Sequence, residues 1–272
     1  MGRGSEILVR MFRARWLVFA GIFTLGCSRQ PPQTILDREP PRMLSAFFGL
    51  DHAMPPESRA LCLSAPGTDG LPVTFTRRVV GSIQASAFTV RTRSGQALHP
   101  TCATTRPADA IAERHTVLLI GELGSEPTDP PVSVEVTGHV KLDGGGDAHG
   151  LSGRVTPLAE GPTLQLALRV APGSLTSDCP AATRQIVVAV WSGGVRPRPG
   201  ADQTSHRDGY SVDTAAGEVR PIALGDLDDR DNYVHLCLAT ATSAERVRFR
   251  AGILVDPRGD LNPETSVEVS AQ

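Results

Sequence analysis

The sequence predicts an all-β protein built as two antiparallel β-sandwiches behind a leader and a short tether. Three observations carry that reading. Apolar and polar residues alternate with a period of two in run after run, the pattern of strands with one buried and one wet face. The 27 glycines and 22 prolines in 272 residues punctuate those runs at the spacing of sandwich strands. No segment holds helical periodicity for three turns, and 108–114 offers one short helix at most.

The leader comes first. Arg13 and Arg15 precede an uncharged apolar run, 16–25, which ends in Thr24-Leu25-Gly26-Cys27. The run is shorter than the roughly 20 apolar residues a membrane-spanning helix needs, so it reads as an export signal. Met11 offers a second start that leaves a compact leader. The segment resembles the lipobox leader of bacterial lipoproteins, with Thr24 where that pattern more often has Leu. The resemblance implies a signal peptide over 1–26, cleavage before Cys27, and diacylglycerol and palmitate on that cysteine. Ser28 after it resembles cargo destined for an outer membrane, so the expected address is the cell envelope, lipid-anchored.

Residues 27–41 continue as a polar, proline-rich tether. Extended at about 3.1 Å per residue, it would hold a folded body roughly 40 Å from the membrane. Four arginines against Glu6 give the leader +3, which leaves −5 of the total −2 on the remainder. Lys141 is the one lysine, and there is no basic stripe to neutralise phosphates, so nucleic acid is excluded as a partner.

The first folded half spans 42–157. It opens on the apolar cluster 44–50 and continues through Val73–Phe75, Phe88–Val90, Val117–Ile120 and the alternating Val132, Val134 and Val136. The boundary falls within 156–162. The second half, 158–272, carries Leu164 to Val170, Ile186 to Val190, Val247 with Phe249, and Val267 with Val269, all with two-residue alternation. Trp191 ends an apolar strand and belongs to the core. The one internal likeness is faint: Ala60-Leu-Cys62-Leu against Val234-His-Leu-Cys237-Leu, each read as a cysteine inside an apolar strand.

With Cys27 assigned to lipid, Cys62, Cys102, Cys179 and Cys237 remain. An even number outside the cytoplasm reads as two disulfides, with three possible connectivities. Keeping each bridge within one half gives Cys62–Cys102 and Cys179–Cys237. No zinc spacing of the C-x-x-C kind is present.

The stretch 71–95, with LPVTFTRRVV, SIQASAFTV and Ser94-Gly95, resembles the opening half of S-layer-associated bacterial Ig-like domains. The segment 251–262, with Asp256 and Gly259, is similar to the D-x-x-G turn that closes such domains before a last strand at 265–269. The resemblance implies Ig-like sandwiches used for spacing, display or adhesion, and it brings no catalytic residues.

Chemistry is sparse. Asp226, Asp228 and Asp231, on a loop with Asp229, form the densest acidic stretch. Calcium takes six to eight oxygen ligands, so an inter-strand calcium site is a candidate there, helped by Asp256 and Asp260. Arg230 and the lack of a following Gly and Glu exclude an EF-hand, and a solvated acidic hairpin loop is the plainer reading. Asp147 and His149, in a Gly-rich loop, would need a partner such as His139 to hold a metal. Neither G-x-S-x-G nor H-E-x-x-H occurs. Arg258-Gly259-Asp260 reads as a turn. The expectation is a non-enzymatic binding, spacing or assembly module with membrane, envelope proteins or glycans as partners. The alternative is an envelope hydrolase whose site is assembled from dispersed loop residues.

Overall fold

The computed structural model describes residues 40–108, 110–170, 175, 178–227 and 231–271. Cys27, the leader, most of the tether and Asp228 lie outside the described residues. The fold is all-β. The first sheet contains β1 (Met43–Phe47), β2 (Asp69–Phe75), β3 (Phe88–Thr92), β4 (Ala97–Leu98), β5 (Cys102–Thr104), β6 (Thr116–Gly121), β7 (Pro131–Val136) and β8 (Ser152–Thr156). Then come β9 (Leu164–Val170), β10 (Gln185–Trp191), β11 (Arg196–Pro197), β12 (Tyr210–Thr214), β13 (Gly217–Val219), β14 (Ala223–Gly225), β15 (Tyr233–Leu238), β16 (Ala244–Phe249), β17 (Leu254–Val255) and β18 (Thr265–Ala271). All but β11 and β17, which pair with each other, form the second sheet. Every alternating run singled out above falls inside one of these strands.

The two sheets are built alike. Numbered from its own first strand, each runs 4-3-7-8-1-2-6-5. In both, the first strand pairs with the last in parallel, and every other pairing is antiparallel. The irregularities match as well. β1 skips a residue between Met43 and Ser45 where it meets β2, and β9 skips one between Leu164 and Leu166 where it meets β10. A second shift separates Arg91 from Thr92 in β3 and Asp213 from Thr214 in β12. A bulge bends a strand and raises its twist, so equal bulges at equal places give both sheets the same curl.

This register corrects the faint internal likeness read from sequence. Residues 56–60 are a 3-10 turn and Cys62 sits in the turn after it, outside any strand. The residue that matches Cys237, which lies opposite Ile186 and Ala223, is Ile120, opposite Gly70 and Cys102. His235, opposite Val188, matches Leu118, opposite Pro72.

Each sheet curls around its own core. Phe48, Leu71, Phe75, Phe88 and Leu119 fill the first. Trp191, Tyr210, Phe249, Leu236 and Leu254 fill the second, where Trp191 Nε1 donates to Tyr210 Oη at 2.9 Å. Alternation fails as a guide in β10 and β15, whose residues are buried throughout. The reason is a third cluster: Leu166, Leu168, Ile186, Val188 and Tyr233 pack with Leu44 and Ala108 of the first half, so the outer face is covered too.

One helix was not foreseen. α1 (Gln203–Gly209) starts at Asp202, whose side chain accepts from Ser205 N at 2.7 Å. This cap satisfies one of the free N–H groups of the first turn, and the pair Asp202…Ser205 was its sequence signal. The 3-10 turn Ile111–Glu113 falls where a short helix was expected.

The Cys179–Cys237 disulfide is formed. The Cys62–Cys102 bridge is a correction: both residues are free thiols here. Cys62 Sγ shares hydrogen bonds with the Cys102 thiol and with Ser64 Oγ, the latter at 3.5 Å. Burial pushes both thiols up, and Cys102 rises to about 12, further raised by Cys62. In Cys62 the bonds from Cys102 and Ser64 outweigh burial and lower its pKa.

Candidate functional site

The polar centre of the molecule lies where the segment between β5 and β6 meets β15. Tyr233 Oη accepts hydrogen bonds from His115 N at 2.9 Å and Thr116 N at 3.0 Å. Asn232 Nδ2 donates to Thr116 Oγ1 at 2.9 Å and to Trp191 O at 2.7 Å. All are buried, and their mutual bonding offsets the loss of water that burial imposes. Tyr233 thereby docks the second half onto backbone groups of the first, and Asn232 onto the Thr116 hydroxyl.

Beside this seam, His235 Nε2 lies 2.9 Å from Glu113 Oε1 and 3.6 Å from Asp226 Oδ2. Glu113 and His235 are 2% and 1% exposed, and Asp226 is 23% exposed. The three come from separate elements. Glu113 ends the 3-10 turn, and its Oε2 accepts from Ala110 N at 3.3 Å, which fixes the carboxylate. His235 lies mid-strand in β15, two residues from the disulfide. Asp226 follows β14 at φ 61°, in the left-handed region that Asp tolerates better than most residues.

Asp226 also lines a recess of about 140 Å³ together with Asp231, Arg196, Gln203, His206 and Tyr233. His206, on α1, is 2% exposed, and its Nε2 has no hydrogen-bond partner among the described residues. Burial lowers its pKa to about 4, so the ring is neutral near pH 7.

Of the acidic residues expected to share calcium, Asp226 and Asp231 line one recess, and Asp256 and Asp260 sit on a turn of their own. Asp226 joins Glu113 and His235. Asp231 is buried, and its Oδ1 accepts from Tyr233 N at 2.6 Å. Asp256 Oδ1 accepts from the N–H groups of Arg258, Gly259 and Asp260 at 2.8–2.9 Å, which makes it the organiser of a turn. Asp260 lies on that turn, 3.5 Å from Arg258. Asp228 lies outside the described residues. The loop between β14 and β15 is a hairpin connection as expected, but Asp231 and Asn232 at its end are buried rather than solvated.

Of two further clusters, one was legible in the sequence. His139 Nδ1 lies 2.7 Å from Asp147 Oδ2, and the His139 and His149 rings stack at 5.3 Å, an exposed grouping of the three residues named from sequence. Asp51, His52 and Asp69 were not foreseen. There His52 lies 2.7 Å from Asp51 and 3.0 Å from Glu122, and the Asp51 hydrogen bond, with Asp69 nearby, raises its pKa. Both Asp69 oxygens are occupied by backbone, from His52 N at 2.7 Å and Leu123 N at 2.6 Å. That group therefore reads as a structural tie between the segment after β1 and the segment after β6. Glu113 and His235 carried no sequence signal at all, since 122 residues separate them.

Compared with protein-family models and with curated protein sequences, the chain matches none.

Proposed function

We propose that this chain is a lipid-anchored cell-envelope protein whose folded part is a pair of Ig-like sandwiches acting as a non-catalytic binding, spacing or assembly module. The observation that carries this reading is the strand order. Lettered in sequence from A through C′ to G, the order 4-3-7-8-1-2-6-5 reads as C′-C-F-G joined edge to edge with A-B-E-D, the two sheets of an immunoglobulin-type sandwich. The order occurs twice, with the same bulges, as tandem Ig-like modules require. The Cys179–Cys237 disulfide supports an oxidising compartment, in keeping with the leader that ends at Gly26-Cys27. Anchoring is tested by Cys27→Ala, which should move the protein from the membrane fraction to a soluble or uncleaved form. A variant that fractionates and migrates like wild type removes the anchor.

One observation favours the second reading, an envelope hydrolase: Glu113, Asp226 and His235 converge from three separate segments beside a recess. Turnover in a broad hydrolase screen, abolished by His235→Ala in a variant that still folds, would establish it in place of the module.

A further inference from the structure

The tandem architecture makes one substitution conspicuous. At the position where β6 of the first sheet has the apolar Leu118, β15 of the second has His235. That imidazole is met by a carboxylate from the other half, Glu113, and by Asp226 from its own.

The geometry points to a ligand. Donor atoms about 2.0–2.1 Å from one zinc-like ion at tetrahedral angles stand about 3.3 Å apart. The observed separations of 2.9 Å and 3.6 Å straddle that value, and all three donors lie within 4.8 Å of one another. We propose that Glu113, Asp226 and His235 bind one divalent transition-metal ion of the zinc class, which pins the second half of the chain to the first.

The imidazole donor selects against calcium, which takes oxygen ligands. Three protein ligands leave a fourth position for water. The recess lined by Asp226, Asp231 and His206, whose buried Nε2 has no hydrogen-bond partner among the described residues, gives that water room and the ion a way in. The supporting shell is rigid: Ala110 N holds Glu113, and the disulfide holds β15 two residues from His235. The inference stands whether the chain binds, spaces or catalyses.

The test uses the full chain, stripped with EDTA and titrated with Co²⁺ alone, whose low-symmetry complexes absorb in the visible. One Co²⁺ per chain is expected, displaced by Zn²⁺, with a melting temperature that rises with free metal. Glu113→Gln and Asp226→Asn should each weaken binding by more than the 10–100-fold typical of outer-shell changes. Asp226, the most exposed ligand, keeps the test decisive if the buried variants fail to fold, with retention of the fold read from circular dichroism. Failure of the stripped wild type to take up one ion overturns the proposal. So does uptake that survives Asp226→Asn but is lost in His149→Ala, which would place the ion on the exposed His139–Asp147–His149 patch, and so does a thermal response to Ca²⁺ but not to Co²⁺ or Zn²⁺.

Discussion

Glu113 Oε1 stands 2.9 Å from His235 Nε2, a polar contact across 122 residues of sequence in which both side chains are buried. Removing one partner of such a pair leaves the other buried without its nearest counter-group. In EDTA, Glu113→Met or His235→Leu alone should therefore cost about 3 kcal/mol or more of unfolding free energy. The double variant gives β15 the apolar residue its counterpart β6 has, and should recover most of that loss. Urea denaturation of the four proteins measures the coupling. Additive losses would show that the pair does not act as a unit.

His206 sets an acid limit. Its folded pKa is lowered to about 4 by burial, against 6.5 for a free ring. A histidine buried neutral adds stability at neutral pH, and this is lost as pH falls from 6.5 toward 4, where the unfolded chain binds the extra proton. The difference amounts to about 3 kcal/mol. The ring packs on Tyr210 and Phe249, so His206→Phe should keep the contact and flatten the stability curve between pH 6.5 and 4. Asp226, Asp231 and Arg196 line the same recess, so the curve is compared with wild type rather than read alone. Parallel curves for the two proteins would reject the assignment.

Asp256 offers a stabilising change. Burial raises its pKa, with Asp260 adding to the rise, and Oδ2 is buried without a partner among the described residues. A carboxyl group whose folded pKa is raised contributes stability at low pH that is lost as pH rises through the folded value. Asp256→Asn keeps an Oδ1 acceptor for the three backbone N–H groups and removes the buried charge. It should raise stability at pH 7, and raise it less at pH 4. Thermal melts at the two pH values check it, and equal or lower stability at pH 7 would show that the charge strengthens the turn.

The cysteines give a chemical prediction. Cys179 and Cys237 are 58 residues apart, and loop entropy assigns their bridge about 4 kcal/mol. Cys62 and Cys102 share a thiol hydrogen bond, and Cys62 is the more acidic, so mild oxidation should join them, with Cys62 the attacking thiolate. In both halves one cysteine precedes the second strand and its partner lies on the fifth or sixth. Non-reducing peptide mapping after oxidation should find Cys62–Cys102 and Cys179–Cys237. A Cys62–Cys237 peptide would overturn both pairings.

Much of the strand content was legible because alternation is a local signal: Val267 and Val269, with the exposed Glu268 between them, announce two faces in three residues. The Asp256 turn was legible for the same reason, since its hydrogen bonds close within four residues. The doubled strand order was not, because pairing and register conserve geometry while Leu118 and His235, or Ile120 and Cys237, share no chemistry. Nor was the burial of β10 and β15 on both faces, which depends on Leu44 and Ala108 arriving from the other half. The sequence by itself determined the all-β character, the turns and the supply of cysteines, all properties of neighbours along the chain. Only the tertiary structure decided that Glu113, Asp226 and His235 meet, because a site made by contacts between distant segments leaves no periodic or spaced trace in any one of them.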